Sequence, residues 1–274
     1  MTTRKSDKEL AFLHDLYVAT DWGERFAELV DQHVQLPKEG RALYVGSGTG
    51  GHALALAARG GAALELVGVE ESEEQVALAR AKAAAVEGVG VDFRHAQVED
   101  LAFEDGQFDL VVGEASLVAP ERLPEMLAEM VRVAAPGATV SLNVVSASSF
   151  GEFFSVLWEA LANAGFEEQA EGVGSLIAEL PTVSDVEALA RREALEEVRS
   201  WTTIEEFDFA SGREFLDAPL VRDFLLDRWL DSLPDEEARG RVLDEVARII
   251  DDDRHEIDFS LTVKATIVVG KRAG

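Results

Sequence analysis

Residues 42–51 read ALYVGSGTGG, an apolar run from Ala42 to Val45 that gives way to four glycines within six positions. A short apolar run bounded by glycine reads as a buried strand ending in a tight turn. Glycines between a strand and a helix let the backbone turn sharply and approach a ligand closely. The following helix adds free N–H groups and the positive end of its dipole. Glu70 ends the next apolar run, 24 positions after Gly46, where a carboxylate can accept hydrogen bonds from both hydroxyls of a ribose. Together they describe a site for a nucleoside-containing cofactor.

The glycines alone leave two patterns open. Gly46, Gly48 and Gly51 fit the G-x-G-x-x-G of dinucleotide sites, whereas Gly46, Gly48 and Gly50 fit G-x-G-x-G, which suggests S-adenosylmethionine. The rest of the chain supplies the context. Short apolar strands are expected at RALYV (41–45), ELVGV (65–69), VDFRH (91–95), FDLVV (108–112) and ATVSLNVV (138–145), each bounded by turn residues. Helical patterns fill the gaps at 52–59, 73–86 and 120–133, and Ser72 with Gln75 and Ser184 with Glu187 have the spacing of capping boxes. Strands alternating with helices indicate βαβ units and a parallel, doubly wound α/β sheet.

Ahead of the loop, apolar spacing from Asp7 to Leu36 predicts two helices broken near Asp21-Trp22-Gly23. After Phe150, helices are expected to about Ala164, at 185–194 and between 211 and 250. Strands are expected at EEVRSWTTIEEF and IDFSLTVKATIVVGK. These two late strands leave no room for a simple crossover, which points to antiparallel pairing at one sheet edge. The expected organisation is a single domain over 1–274, with an N-terminal helical lid (1–36), a cofactor-binding core (41–146) and a C-terminal completion with a helical cap (147–274).

In order, ALYVGSGTG, LVGVEES, FRHAQVEDLAF, GQFDLVV and MVRVAAPGATVSL resemble the successive motifs of the class I S-adenosylmethionine-dependent methyltransferases, above all the small-molecule branch that includes quinone biosynthesis enzymes. The resemblance runs from about residue 41 to 145 and implies a Rossmann-like seven-stranded sheet, α/β/α layers and S-adenosylmethionine as cofactor. It also implies site residues. The turn Gly46, Ser47, Gly48 and Gly50 would wrap the methionine end and ribose, and Glu70 would hold the ribose hydroxyls. Gln97 stands where the family usually has an acid that accepts from the adenine amino group, and Val98 would offer its backbone N–H to the ring. Glu71 is a further candidate at the adenine edge or, alternatively, an exposed carboxylate at a helix start. Tyr17 and Trp22 would belong to a lid, or else to the core.

Tyr44 departs from the pattern, because the family commonly places Asp or Glu there to bind the ammonium of the methionine moiety. A tyrosine cannot supply that charge at neutral pH. Glu114, just past FDLVV, is the nearest substitute.

With 53 acidic against 25 basic side chains and a formal charge of -28, the chain repels phosphate backbones and anionic membranes. Neither nucleic acid nor a membrane is an expected partner. The absence of cysteine excludes disulfides, thiolate metal sites and cysteine nucleophiles. MTTRKSDKEL lacks the apolar core of a signal peptide, so a cytoplasmic protein is expected. The five histidines, His14, His33, His52, His95 and His255, form no metal-spaced pair, read as surface or capping residues, and no metal is expected. Phe209, Phe215, Phe224 and Trp229 read as core, or as a cap lining an apolar acceptor pocket in which Arg213, Arg222 or Arg228 faces an acidic group.

Methyl transfer from a sulfonium demands alignment and dehydration more than a particular catalytic residue, and none is assigned. The resulting expectation is methyl transfer to a small organic acceptor. The alternatives are a non-catalytic methyltransferase-like binding module and a nicotinamide-dependent oxidoreductase, against which the Pro136-Gly137 turn argues.

Overall fold

The computed structural model describes residues 5–86, 90–253 and 258–274; His255 lies outside them. Its strands are β1 (Gly40–Val45), β2 (Leu64–Glu70), β3 (Val91–His95), β4 (Phe108–Glu114), β5 (Ala134–Val145), β6 (Leu195–Phe209) and β7 (Phe259–Arg272). They form a seven-stranded sheet in the order β3-β2-β1-β4-β5-β7-β6. β1 pairs in parallel with β2 and β4, β2 with β3, and β4 with β5. β1 and β4 are central and buried at consecutive positions, which is why they read as continuous rather than alternating apolar runs.

The late strands pair antiparallel. Ala273 bonds back to Ala194 and Thr202 pairs with Thr266, so residue numbers rise on β6 as they fall on β7. The same holds against β5, where Lys271 reaches Thr139 and the Ser146 N–H bonds the Lys264 carbonyl. β5 starts earlier than the apolar pattern suggests. Ala134 faces Phe108 while Thr139 faces Leu110, so Pro136-Gly137 is a bulge within the strand rather than a turn before it.

The helices are α1 (Asp7–Leu13), α2 (Glu24–His33), α3 (Gly51–Gly60), α4 (Glu73–Ala85), α5 (Leu123–Val133), α6 (Gly151–Asn163), α7 (Glu167–Glu179), α8 (Val183–Arg192), α9 (Gly212–Asp217), α10 (Leu226–Trp229) and α11 (Glu236–Asp253). The chain forms two compact units: residues up to Val144 with Val183–Thr202 and Ala265–Gly274, and Val145–Thr182 with Thr203–Lys264.

In the first unit the expected helix break at Asp21-Trp22-Gly23 does not occur. His14–Gly23 winds as a π-helix that joins α1 to α2 and turns Val18 and Trp22 inward. The Trp22 indole, 2% exposed, donates to Ser116 Oγ at 2.8 Å and packs on Phe26 at 5.2 Å. The Phe26 carbonyl in turn accepts from the buried Asn143 amide at 3.0 Å. The N-terminal segment is thus fastened to residues at the ends of β4 and β5. Ser72 caps α4 through the Gln75 N–H at 3.3 Å. Ser184 does not head its helix: α8 begins at Val183, and the Glu187 carboxylate is engaged by Ser200 and Arg191.

In the second unit α7 was not expected, because Gly172 and Gly174 dilute its helical signal. Trp229 lies 4.3 Å from Phe153 and 5.1 Å from Phe150, ring centre to ring centre, and Phe215 lies 5.4 Å from Phe153. Phe215 and Trp229 are therefore core, while Phe209 and Phe224 are half-buried. Arg213, Arg222 and Arg228 pair with Asp244, Asp223 and Glu179, so each guanidinium already has an anion.

Trp22 is a fully buried apolar anchor of the N-terminal segment. Trp22→Ala is expected to cost about 3–5 kcal/mol in urea denaturation, against about 1 kcal/mol for Ser116→Ala, which removes only the hydrogen-bond acceptor.

Candidate functional site

The glycine loop leaves β1 at Val45 and enters α3 at Gly51. Gly46, Gly48 and Gly50 all have positive φ, at 72°, 54° and 81°. A Cβ at Gly46 would collide with the Glu114 carbonyl of β4, and one at Gly50 would lie 2.6 Å from the Phe93 ring. Gly51 carries neither constraint, since its φ is not positive and nothing lies within 4 Å of an added Cβ. The positions that demand glycine are therefore those of G-x-G-x-G, which resolves the ambiguity of the sequence in favour of the shorter pattern. Gly50 caps α3 without a side chain, leaving the first N–H groups of that helix facing the loop.

Glu70, at the end of β2, spans this loop. One carboxylate oxygen accepts from the Gly48 N–H at 2.9 Å, and the other from the N–H groups of Glu71 and Ser72 at 2.8 and 3.1 Å. Burial pushes its carboxyl above the usual range, against the pull of those three donors. Ser47 Oγ is buried beside Gly68 with no hydrogen-bond partner among the described residues. A loop closed to a Cβ at Gly46 and Gly50, a carboxylate fixed across it and a spare hydroxyl fit a polyhydroxylated, amine-bearing group such as S-adenosylmethionine.

The N-terminal segment lies on the loop. His14 sits 3.0 Å from where a Gly48 Cβ would be, and burial pushes its imidazole down to about 4. Asp15 accepts from Thr49 Oγ1 and from Lys82 of α4. Burial works to raise the Asp15 carboxyl, but these donors hold it below the ordinary range. His14 is thus no surface histidine. Tyr17, by contrast, is 54% exposed, alongside exposed Phe12 and Leu16.

Tyr44 is 4% exposed, and its hydroxyl lies 2.9 Å from His52 Nδ1 on α3. His52 Nε2 lies 3.1 Å from Asp31 of α2, which also accepts from Arg59. His52 was read from the sequence as a surface or capping residue; it is instead the middle of a four-residue chain. Glu114, beyond the loop, accepts from the Ser116 N–H and the Asn143 amide, both at 2.9 Å. Burial pushes its carboxyl up, and its charge, after burial, helps raise the Tyr44 phenol.

On the other side of the loop the exposed-carboxylate reading of Glu71 fails. Glu71 is half-buried, pairs with Arg122 and accepts from the Val98 N–H at 3.2 Å. Arg122 is shared with Glu99. Gln97 is exposed, and His95 Nε2 lies 2.9 Å from the Glu71 carbonyl. Asp15, Asp31, Lys82, Arg122 and Asn143 escaped sequence reasoning. Each is distant in sequence from what it touches, and in a chain rich in Asp and Glu no spacing marks it. Among the described residues no group of three or more His, Cys, Asp or Glu could hold a metal ion, and no helix is long and apolar enough to cross a membrane.

Residues 42–137 match the family model described as a methyltransferase domain. A ubiquinone/menaquinone biosynthesis C-methyltransferase of Geotalea daltonii is 32% identical over 118 residues, which is 43% of this chain and 50% of that protein. The chain thus spans about half the length of this curated relative. Among solved structures, the YcgJ protein of Bacillus subtilis superposes with a TM-score of 0.60 at 16% identity, covering 92% of this chain and 99% of that one. A Haemonchus contortus phosphoethanolamine N-methyltransferase 2, in complex with S-adenosyl-L-methionine, gives a TM-score of 0.58 at 15% identity, covering 100% of this chain and 59% of that one. At these identities the structural likeness is one of fold.

His14 makes the stability of the site pH-dependent. Its imidazole falls from the ordinary 6.5 to about 4 in the folded chain, so between these values the unfolded chain binds a proton that the folded chain refuses. Stability on this account drops as pH falls through that window; Glu70 and Glu114, raised by burial, work in the opposite sense. Urea midpoints at pH 7 and pH 4.5 are expected to fall further for the wild type than for His14→Gln, which keeps both carboxylates.

Proposed function

We propose that this chain, whose residues 42–137 match the methyltransferase-domain family, binds S-adenosylmethionine at the glycine loop and transfers its methyl group to a small organic acceptor. The observation that carries this reading is the Glu70 carboxylate, fixed across a loop whose three constrained glycines are those of G-x-G-x-G.

When bound, S-adenosylmethionine supplies a methyl group already activated on a sulfonium. The chain's residues then bind, orient and exclude water, and alignment of this kind accounts for roughly 7–11 kcal/mol of such barriers. Gly46, Ser47, Gly48 and Gly50 admit the methionine end and ribose against bare backbone. Glu70 takes the ribose hydroxyls, one on the lone pair its three backbone bonds leave free and the other on a lone pair released as a loop N–H lets go. Gln97 accepts from the adenine amino group. For the Val98 N–H to reach the ring, Glu71 releases it and stays with Arg122. Glu114 contributes negative charge facing the ammonium end. Trp22 and the π-helix exclude water from the loop, with Tyr17 at the rim.

A small-molecule acceptor is supported by relatives named for methyl transfer to small molecules. These include a C-methyltransferase of quinone biosynthesis and a chloroplastic tocopherol O-methyltransferase of Arabidopsis thaliana, 37% identical over 120 residues. The charge of -28 speaks against a nucleic-acid acceptor. We place the reaction in the cytoplasm.

Calorimetric titration of the full chain with S-adenosylhomocysteine, the demethylated product, tests the reading. Glu70→Ala is expected to weaken binding at least about 10-fold, the loss of hydrogen bonds to a charged group, and Gly50→Val to abolish it. Gly51→Ala should leave binding unchanged. Equal binding by all three variants would refute the site.

A further inference from the structure

Tyr44 stands where an anion would be expected, and the contacts around it fix the direction of its hydrogen bond. Asp31 accepts from Arg59 and lies 3.1 Å from His52 Nε2. The Asp31 carboxyl is held below its ordinary range: burial opposes this, but His52 and Arg59 outweigh it. An ionised carboxylate only accepts, so Nε2 carries the imidazole proton. Burial also keeps His52 neutral by pushing it down, against the pull of Asp31. A neutral imidazole has one N–H, which leaves Nδ1 as an acceptor. The Tyr44 hydroxyl, 2.9 Å from Nδ1, therefore donates its only proton there. Its oxygen keeps two lone pairs and, polarised by the chain behind it, is a stronger acceptor than an isolated phenol.

Among the described residues no donor reaches that oxygen. It belongs to a residue two positions before Gly46, on the strand from which the loop springs, with the Glu114 carboxyl near enough to raise its phenol. We propose that Asp31 and His52 orient the Tyr44 hydroxyl as an acceptor for the ammonium group of an amino-acid-bearing ligand, so that a neutral relay does here what a carboxylate does in the related enzymes. Tyr44 touches the ligand, while His52 and Asp31 are positioning residues that act through it. The relay's outer end is open to water, since Asp31 is 40% exposed. This inference rests on the reading of the glycine loop as a site for S-adenosylmethionine.

The test compares two ligands by calorimetry on the full chain: S-adenosylhomocysteine, which carries the ammonium, and methylthioadenosine, which lacks the amino-acid end. Tyr44→Phe is expected to weaken S-adenosylhomocysteine about 10-fold to 100-fold, the range for a hydrogen bond to a charged group, and to leave methylthioadenosine unchanged. Tyr44→Glu should recover most of the loss. His52→Phe should show the same ligand-selective weakening to a smaller degree, and it serves as the test should Tyr44→Phe not fold. Equal affinity of wild type and Tyr44→Phe for S-adenosylhomocysteine overturns the proposal, and so does an equal loss for both ligands, which would mark a structural role. Wild type that binds neither ligand overturns the underlying reading of the loop, and the proposal with it.

Discussion

The close approach of backbone to backbone at the glycine loop is the constraint on which the site depends. β1 and β4 are paired neighbours, and the chain leaving β1 passes so near the Glu114 carbonyl that Gly46 has no room for a side chain. At the far end of the loop, Gly50 is held against Phe93, which β3 contributes from beyond β2. Two contacts thus determine where the loop begins and ends, and the backbone N–H of Gly48 falls between them within reach of Glu70. A bulkier loop would have to stand off from the sheet and would lose the carboxylate that now spans it.

Around this fixed turn, cations are shared. The chain has 53 acidic and 25 basic side chains, and near the loop each cation serves more than one acceptor or joins a longer chain. Arg122 sits between Glu71 and Glu99, Lys82 contacts both Asp15 and Thr49, and Arg59 shares Asp31 with His52. Each arrangement ties the loop region to a different element: α4 to the π-helix, the residues after β2 to those after β3, and α3 to α2. Partly exposed pairs of this kind contribute little individually to stability. Their value is directional, because a shared cation leaves its partners few alternative geometries. The relay through Tyr44 follows the same logic with a neutral end.

Much of the core was legible in the sequence because its signals are local. The strands at 91–95 and 108–112, the helix opening at Ser72 and the glycine pattern each depend on residues close in the chain. The choice between G-x-G-x-x-G and G-x-G-x-G was not legible from the loop itself. It turns on whether a Cβ at residue 50 or 51 meets anything, and Phe93, the answer, lies more than 40 positions away. The continuous helix through Trp22 was missed because a π-helix does not keep the 3.6-residue period by which helices are read. In the sequence His14 and His52 read as surface or capping residues, and Glu71 as an adenine-edge candidate or an exposed carboxylate, because what they contact comes from other elements. α7 was missed because its two glycines weaken the pattern, although burial of Ala170 and Val173 compensates.

Which cofactor the loop selects is the central question, and parallel titrations of the unmodified full chain with the two candidates measure it directly. With reduced nicotinamide dinucleotide followed by its fluorescence and S-adenosylhomocysteine by calorimetry, the account predicts saturable heat from S-adenosylhomocysteine and no change in dinucleotide emission at any concentration. Saturable binding of the dinucleotide, with no heat from S-adenosylhomocysteine in a parallel calorimetric run, would contradict it.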